Sequence, residues 1–287
     1  HLVTLIRISK DSYYKNFFKE NKMNALKVWE GIRSIINIKE KRYKNINLKI
    51  NENISTNSSD IANHFNNFFT TIPSKLAEKI PPTYSDYRCY LVNQNNNSFF
   101  LSPTNPNEIE SLINDIKLNK AIGPNSIPNY LLKEFKENFS KPLALIINLS
   151  FQNGSFPTAL KCAKVIPVFK KGDTQDCNNY RPISLLSNIA KLMEKIIHKQ
   201  LYKFLSQYNC LYNYQFGFRD NHSTNHTLIS IAEMIRKSLD NGKYACGVFL
   251  DLQKAFDTVD HNILLSKLEF YGVRGTPLNW FKSYFNN

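Results

Sequence analysis

The sequence has few glycines, few cysteines and few acidic residues, and it lacks long apolar runs. Of 287 residues, 9 are glycine and 5 are cysteine, and no two cysteines form a CxxC pair. This spacing argues against both a zinc site and a disulfide framework. No apolar run approaches the roughly 18 to 20 residues that a membrane span needs. With 42% hydrophobic residues, we expect a globular, soluble, intracellular protein without a membrane partner, in the nucleus or the cytoplasm.

The deficit of acidic residues falls in two segments. Residues 1–50 carry 12 Lys and Arg against 4 Asp and Glu, and residues 161–203 carry 9 against 3. These two segments account for the whole net charge of +14. Two basic patches on a neutral body suggest a partner with a phosphate backbone. A lysine-rich bias of the coding sequence, with ordinary solvated lysines, remains the alternative.

Residues 1–100 have the pattern of a helical, basic accessory segment. Aromatic and aliphatic residues recur at mostly helical intervals, with lysines between them, at Tyr14, Phe18, Trp29, Ile32 and Ile36. They are typical either of a core with a solvated basic face or of a nucleic-acid contact. A second helix is predicted to begin after Ser59 or Asp60 and to stop at Pro81–Pro82. The polar stretch "NQNNNS" at 93–98 is the most plausible linker.

Residues 101–287 mix helical and strand patterns. One helix is predicted to begin at Asn105 or Asn107, a second to follow a Gly-Pro turn, and a third to end at Gly154. Two further helices are predicted at about 186–206 and 222–239. "KCAKVIPVF" and "NNYRPISLL" flank the loop "KKGDTQDC", which predicts a hairpin. A strand at 243–252, a helix at 254–270 and a last helix at 276–285 complete the series. The predicted fold class is therefore α+β.

Asp251 ends the largely apolar row of the predicted strand. Alternation places Gly247, Phe249 and Asp251 on one face. A carboxylate in such a position is costly to desolvate unless a cation or hydrogen-bond donors compensate it. A divalent metal is one such cation, because Mg²⁺ binds a few carboxylates together with substrate phosphates. The alternative is that Asp251 caps the following helix.

Four motifs resemble one family of enzymes. "FLDLQKAFDTVDH" is similar to the first catalytic motif of reverse transcriptases from non-LTR (LINE-type, jockey-like) retrotransposons. "AKVIPVFKKGD" with "NNYRPISLLS" resembles their fingers motif, "NYQFGFRDNHST" their next block, and "KAIGPNSIPNYLLKE" the Gly-Pro motif that opens their domain. The resemblance implies the fingers and part of the palm of a right-hand polymerase at 101–287. Residues 13–80 resemble the segment that usually precedes that domain.

The resemblance also implies an activity and its partners. The activity would be RNA-directed DNA synthesis, with an RNA template, a DNA primer and deoxynucleotides as partners. Two Mg²⁺ or Mn²⁺ ions would serve the complete enzyme. Asp251 would be the first metal-binding aspartate, with the Leu252 carbonyl as a lesser ligand. Phe256 would be an aromatic gate that leaves no room for a 2′-hydroxyl, although it also fits a helical core stripe with Val259 and Ile263.

The same resemblance assigns the remaining site residues. Lys170 and Arg181 would hold the triphosphate, with Lys164 and Lys171 as weaker helpers. Gln215 and Arg219 would lie near the template or primer backbone. The negative charge of Asp220, next to Arg219, counts against the contact of Arg219 with that backbone. We expect Asp257 and Asp260 on the helix after the strand rather than at the metal. Asp257 would then form structural hydrogen bonds, and Asp260 would be solvated.

The second acidic motif of the family is missing. Two-metal phosphoryl transfer needs carboxylates on both sides of the ion pair, and the sequence contains no Asp-Asp pair. Because the chain opens with His1 and ends in "WFKSYFNN", we expect a fragment truncated before that motif and the thumb. Such a fragment is expected to be inactive alone. The alternatives are a non-catalytic nucleic-acid-binding remnant and a chain that does not fold. Oligomeric state is left open.

Overall fold

The computed structural model describes residues 2–35, 46–50, 53–81, 86–124 and 126–286. The chain is divided into two compact units. The first comprises the described residues of His1–Ala62 together with Asp173–Asp176, and the second those of Asn63–Gly172 and Cys177–Asn287. The fold is a mixture of helices and short antiparallel strands, which agrees with the predicted α+β class. No helix of the described residues is long and apolar enough to cross a membrane.

The first unit contains a helical hairpin of α1 (Leu2–Glu20) and α2 (Ala25–Ile35). The helical intervals predicted from the sequence are confirmed at this hairpin, and two asparagines divide the helical run into two helices. Asn21 donates to the carbonyl of Phe17 at 2.8 Å, and Asn24 accepts the N–H of Lys27 at 3.3 Å. These contacts end one helix and begin the next. Ile36, also part of that prediction, lies outside the described residues.

The α1–α2 contact depends on a glycine. A Cβ on Gly31 would lie 2.7 Å from the ring of Phe17 and 2.9 Å from that of Phe18. Near the same contact, the hydroxyls of Tyr14 and Ser34 are 2.8 Å apart. Tyr14 and Phe18 therefore contact the second helix, whereas Trp29 is 58% exposed. The unit also contains a two-stranded antiparallel sheet, β1 (Leu48–Ile50) and β2 (Asn53–Ser55), which sequence analysis missed.

Helix α3 (Ser58–Ala77) confirms the second predicted helix, with a different cap. The side chain of Asn57 accepts the N–H of Ser59 at 2.9 Å, so Asn57 fills the role predicted for Ser59 or Asp60. Farther along α3, Phe65 is buried and its ring meets that of Tyr180 edge to face, with centroids 4.9 Å apart. Phe169 contacts the same tyrosine, with centroids 5.5 Å apart. This aromatic contact anchors the hairpin of residues 164–185 on α3.

Strands β3 (Lys164–Phe169) and β4 (Tyr180–Leu185) form the predicted antiparallel hairpin. Their register pairs Phe169 with Tyr180 and Val168 with Arg181. Residue pairs alternate between the two faces of the ribbon. The face that carries Phe169 and Tyr180 packs on α3, and the opposite face carries Arg181.

A helical core builds the rest of the second unit. It is formed by α4 (Pro106–Asn114), α5 (Asn129–Glu134), α6 (Lys136–Asn153), α7 (Asn188–Gln207), α9 (His261–Phe270) and α10 (Thr276–Phe285). Ile113, Ile147 and Met193 are fully buried in it. Trp280 is also buried, and its indole N–H donates to Ser150 at 2.9 Å. Asn105 caps α4, as predicted, by accepting the N–H of Glu108 at 2.9 Å.

The predicted linker at 93–98 is instead tied to the loop that follows α9. The Asn95 side chain donates to the carbonyl of Tyr271 at 3.3 Å, and the guanidinium of Arg274 donates to the carbonyl of Asn95 at 2.7 Å. Just after this stretch, the N–H of Phe99 donates to the carbonyl of Gly272 at 2.8 Å. The polar composition predicted a linker here, but the Asn95 amide instead satisfies a part-buried backbone carbonyl.

The strand predicted at 243–252 is absent from the structure. These residues have no regular secondary structure and all are exposed. Tyr244 is 100% exposed, Phe249 88% and Leu250 90%. A strand needs a neighbour to accept and donate its backbone hydrogen bonds. In the described part of the chain, strands pair only as β1–β2 and β3–β4, so no neighbour meets this segment.

Helix α8 (Thr224–Asp240) precedes this segment and is also exposed. It contains no buried residue, and its apolar side chains Leu228, Ile229, Met234 and Leu239 all face solvent. Its N-cap is Ser223, whose hydroxyl accepts the N–H of His226 at 3.4 Å. The predicted helix is therefore confirmed by its local signals, and its apolar face has no partner among the described residues.

Candidate functional site

Three basic residues predicted to bind nucleotide lie on the hairpin of β3 and β4. The register pairs Lys164 with Leu185 and Val168 with Arg181, so Lys164 and Arg181 share a face. Lys170 follows β3, and its N–H donates to the carbonyl of Asn179 at 2.8 Å, which extends the ladder. Lys170 is two residues beyond Val168, so it lies on the same face as Val168 and Arg181. All three residues are exposed, so this face of the hairpin is basic.

The Gly-Pro motif supports the end of this hairpin. A Cβ on Gly123 would overlap the carbonyl oxygen of Leu185 and would lie 2.5 Å from the carbonyl carbon of Leu186. Only a residue without a side chain allows this close approach of two backbones. Gly123 therefore fixes the chain where β4 ends and the approach to α7 begins. The motif was recognised from the sequence, but this packing role was not.

Asp251 and Leu252 lie in the exposed segment that replaces the predicted strand. The carboxylate of Asp251 forms no ion pair within the described residues. No group of three or more His, Cys, Asp or Glu residues that could hold a metal ion occurs there either. The assignment of Asp251 and the Leu252 carbonyl as metal ligands stays a prediction. Its premise that Asp251 ends a buried strand is wrong.

The helix predicted at 254–270 begins later, at His261. Asp260 is its N-cap, and one carboxylate oxygen accepts the N–H of Asn262 at 2.8 Å and of Ile263 at 3.0 Å. Asp260 is therefore a capping residue rather than a residue within the helix. Asp257 lies in the preceding turn, and its N–H donates to the carbonyl of Lys254 at 2.9 Å. The capping role considered for Asp251 belongs to Asp260, because the helix begins at His261 rather than at residue 254.

Lys254 is the centre of the turn between Asp251 and Asp260. Its backbone has a φ of +50°, in the left-handed region that non-glycine residues rarely adopt. Its ammonium lies over the ring of Phe68 on α3, 4.6 Å from the centroid. Burial lowers the pKa of Lys254, against the opposing effects of Asp257 and Cys177. No sequence signal marked this residue, although it lies within the catalytic motif.

Phe256, the predicted nucleotide gate, is 78% exposed and does not belong to a helical core stripe. Its ring meets that of Phe218 edge to face, with centroids 5.7 Å apart and planes at 89°. Phe218 is itself 86% exposed and has a φ of +58°. The structure thus brings together two motifs, "NYQFGFRDNHST" and "FLDLQKAFDTVDH". Sequence analysis did not single out Phe218.

The residues predicted to contact template or primer make local hydrogen bonds. Gln215 donates from its side chain to the carbonyl of Gly217 at 3.1 Å. Arg219 donates to the carbonyl of Tyr212 at 2.9 Å, and no ion pair links it to Asp220 in the described structure. The N–H of Asp220 donates to the hydroxyl of Tyr202 at 3.0 Å. The assignment of Gln215 and Arg219 to nucleic-acid contact stays a prediction.

A stretch of the chain that contains most of these residues matches a known family. Phe218 and Phe256 lie within it, and of the three basic residues of the hairpin only Lys164 precedes it. Residues 168–287 match the family model described as "Reverse transcriptase (RNA-dependent DNA polymerase)". This stretch is similar to the reverse transcriptase family. The match includes Lys170, Arg181, Asp251 and Phe256.

Curated relatives agree with this assignment. The chain is 36% identical over 168 residues to "RNA-directed DNA polymerase from mobile element jockey" of Drosophila melanogaster, covering 58% of this chain and 18% of the relative. It is 32% identical over 166 residues to the protein of that name in Drosophila funebris, covering 58% and 18%. It is 29% identical over 219 residues to "Probable RNA-directed DNA polymerase from transposon BS" of Drosophila melanogaster, covering 74% and 24%.

These relatives confirm the resemblance to non-LTR, jockey-like reverse transcriptases that the four motifs indicated. The motifs predicted the enzyme class RNA-directed DNA polymerase, and the relatives are named as enzymes of this class. The chain spans between 18% and 24% of the length of these relatives. The similarity to reverse transcriptases therefore concerns a part of these longer proteins.

Proposed function

We propose that this chain is part of an RNA-directed DNA polymerase of a non-LTR retrotransposon. The complete protein would extend a DNA primer on an RNA template with deoxynucleotides. The observation that carries this proposal is the reverse transcriptase match over residues 168–287, which contains the motif around Asp251. In this proposal, residues 101–287 supply the fingers and the first half of the palm. Residues 1–100 supply a helical, basic accessory segment.

The hairpin of β3 and β4 would bind the triphosphate. Lys164 and Arg181 share a face of the ribbon, and Lys170 extends the same alternation. Arg181 would bind phosphate oxygens through two parallel N–H groups, and the lysines would act as point charges. The opposite face is held on α3 through Tyr180 and Phe65. A rigidly anchored ribbon can present its cations to a polyanion with little loss of side-chain freedom on binding.

Asp251 would hold one divalent cation, with the Leu252 carbonyl as a second ligand. Both are exposed, and Mg²⁺ commonly takes one or two protein oxygens and completes its shell with water and substrate phosphates. The donor set present therefore fits one ion bound together with a nucleotide. When bound, the ion would polarise the α-phosphate for attack by the primer hydroxyl. Phe256 would exclude nucleotides that carry a 2′-hydroxyl.

A second ion does not fit the residues that are present. Two-metal transfer requires further carboxylates across from Asp251. The sequence contains no Asp-Asp pair, and the described residues contain no cluster of three or more potential metal-ligating side chains. We therefore propose that this chain binds a nucleotide with Mg²⁺ but does not catalyse incorporation by itself.

A non-catalytic nucleic-acid-binding protein is the second candidate. The exposed, irregular segment around Asp251 favours it, because the catalytic carboxylate is not held in a buried strand. The basic segments at 1–50 and 161–203 would then bind a phosphate backbone. Such binding would weaken steeply with salt and would not depend on Asp251 or on Mg²⁺.

Direct binding of a nucleotide tests the proposal. We would measure the equilibrium affinity of the purified chain for dCTP in MgCl₂, for the wild type, Arg181→Ala, Asp251→Ala and Lys141→Ala. Lys141 is an exposed lysine of α6, away from the hairpin, and is the matched control. Arg181→Ala and Asp251→Ala should each weaken binding by about tenfold or more, and Lys141→Ala should leave it unchanged. Equal affinities in all four proteins would refute the proposed nucleotide site.

Primer extension tests whether the chain is active alone. We expect no template-dependent incorporation by the purified chain on a primed RNA template. Incorporation that Asp251→Ala abolishes would overturn the proposed inactivity and would support the proposed metal ligand. RNA binding that weakens with salt, without Mg²⁺-dependent binding of dCTP, would favour the second candidate.

A further inference from the structure

The ammonium group of Lys254 is in an unusual environment. Its Nζ is buried and has no hydrogen-bond partner among the described residues. Instead it lies over the ring of Phe68, 4.6 Å from the centroid. A desolvated ammonium without hydrogen bonds is costly, and the face of an aromatic ring offers partial electrostatic compensation. This contact is therefore the one that explains why the side chain of Lys254 turns inward.

The backbone of Lys254 shapes the turn between the two aspartates. Its carbonyl accepts the N–H of Asp257 at 2.9 Å and that of Thr258 at 3.2 Å. The left-handed conformation of Lys254, with a φ of +50°, is unfavourable for a residue with a side chain unless tertiary contacts hold it. The contact with Phe68 is such a restraint. The backbone of Lys254 thus forms the turn, and its side chain joins this turn to α3.

Two titratable groups also affect the ammonium of Lys254. Cys177 opposes the lowering of the Lys254 pKa. It is buried and lies four residues before Arg181. On the other side, Asp257 is the acidic neighbour within the turn. The contact of Lys254 with Phe68 therefore joins the Asp251 turn to α3.

We propose that Lys254 is a positioning residue that holds the turn from Asp251 to Asp260 against Phe68 of α3. Through this contact, Asp251 and Phe256 would keep a fixed orientation toward a nucleotide on the hairpin. Helix α3 lies outside the stretch that matches the reverse transcriptase model, so this contact gives a helix of the preceding segment a role at the site. The inference rests on the proposed function for its effect on nucleotide binding.

The first test compares charge with bulk at position 254. We would measure dCTP affinity in MgCl₂ for Lys254→Met, Lys254→Arg and the control Lys243→Met, an exposed lysine of the neighbouring segment. Lys254→Met should weaken binding by about tenfold, and Lys254→Arg should retain most of the affinity, because a guanidinium also binds an aromatic face. Lys243→Met should behave as the wild type. An arginine variant as defective as the methionine variant would overturn the proposal.

The second test removes the ring. Phe68→Leu should weaken dCTP binding as Lys254→Met does, whereas Phe68→Tyr should not, because it keeps the aromatic face. The double variant Phe68→Leu, Lys254→Met should bind no more weakly than either single variant, since both remove one contact. Additive losses would overturn the proposal. If Lys254→Met does not fold, the Phe68→Leu and Phe68→Tyr pair decides the question alone.

Amide hydrogen exchange separates this inference from the proposed function. Exchange at Asp257 and Thr258 should accelerate by about tenfold in Lys254→Met and return to the wild-type rate in Lys254→Arg. If the wild-type chain binds no dCTP, the proposed function fails, and faster exchange in Lys254→Met alone would still support the restraint on the turn. Unchanged exchange in Lys254→Met would overturn the inference whether or not dCTP binds.

Discussion

The phenyl rings of Phe218 and Phe256 meet edge to face, with their centroids 5.7 Å apart and their planes at 89°. The two residues are 38 positions apart in the sequence and belong to two separate motifs. Both rings are largely exposed, and this contact restrains each of them. A predicted nucleotide gate at Phe256 would therefore depend on Phe218 for its orientation.

Sugar discrimination should depend on both rings. Phe256→Val should raise the affinity for CTP relative to dCTP by about tenfold, because a smaller side chain leaves room for the 2′-hydroxyl. Phe218→Ala should shift the ratio in the same direction and by less, since the gate itself remains. The measurement is equilibrium binding of both nucleotides in MgCl₂, with Phe256→Tyr as the size-matched control. A ratio that Phe256→Val leaves unchanged would remove the gate from this residue.

Gly123→Ala should destabilise the second unit. The added Cβ would overlap the backbone of Leu185 and Leu186, and overpacking of this kind typically costs about 1 to 3 kcal/mol. Urea unfolding followed by circular dichroism measures the change in free energy of unfolding. Gly217→Ala is the matched control, because no atom lies within 4 Å of the corresponding Cβ. Equal losses in both variants would contradict the close approach described for Gly123.

Stability at acidic pH should depend on the ion pair of Glu108 with Lys199, whose charged atoms are 2.9 Å apart. The hydrogen bond from Lys199 lowers the pKa of Glu108, and a second one from Thr104 adds to this effect. The pKa of Glu108 is lower in the folded than in the unfolded protein. Ionised Glu108 therefore stabilises the fold at pH values above its unfolded pKa, and this stabilisation is lost as the pH falls through its folded pKa.

Glu108→Gln should therefore reduce the free energy of unfolding at pH 7 and have a smaller effect at pH 3. Because Lys199 is exposed, solvent screening limits the loss to about 1 kcal/mol or less. Urea unfolding at both pH values measures it, with the exposed Glu78→Gln as the control. The expectation is contradicted if Glu108→Gln loses as much stability at pH 3 as at pH 7.

Stability at alkaline pH should depend on Tyr284. Its hydroxyl donates to the Glu194 carboxylate at 2.7 Å, and burial together with this carboxylate strongly raises its pKa. A raised folded pKa stabilises the protein below the unfolded value of about 10, and the contribution is lost as the pH rises beyond it. Tyr284→Phe should flatten the decline of unfolding free energy between pH 8 and pH 11. A decline as steep in Tyr284→Phe as in the wild type would argue against this role.

Limited proteolysis should cut the segment 243–252 before the core. Tyr244 and Phe249 are exposed and lie in irregular backbone, whereas Trp280 and Phe281 are buried in α10. Exposed irregular segments are the preferred sites of proteolytic cleavage. Chymotrypsin should therefore produce a first cut after Tyr244 or Phe249, as mass spectrometry of the earliest fragments would show. First cuts within α10 would mean that the exposed segment is covered in solution.

Much of this molecule was predictable from local sequence signals. Asn105 begins α4, Gly154 ends α6, and the basic loop joins β3 to β4, because caps, left-handed glycines and hairpins depend on neighbouring residues. The four motifs likewise identified the reverse transcriptase family, since their order along the chain does not depend on how they pack. The register that places Lys164 and Arg181 on one face, by contrast, came from the structure.

Only the tertiary structure decided the surroundings of the site. The alternating pattern at 243–252 indicates which side chains a strand would bury, but burial requires a neighbouring strand, and the described residues provide none. Gly123, Phe218 and Lys254 have roles that arise from residues distant in sequence, at Leu185, Phe256 and Phe68. Sequence patterns encode the periodicity of a segment, whereas packing partners depend on how the whole chain folds, which is why the roles of these three residues could not be predicted.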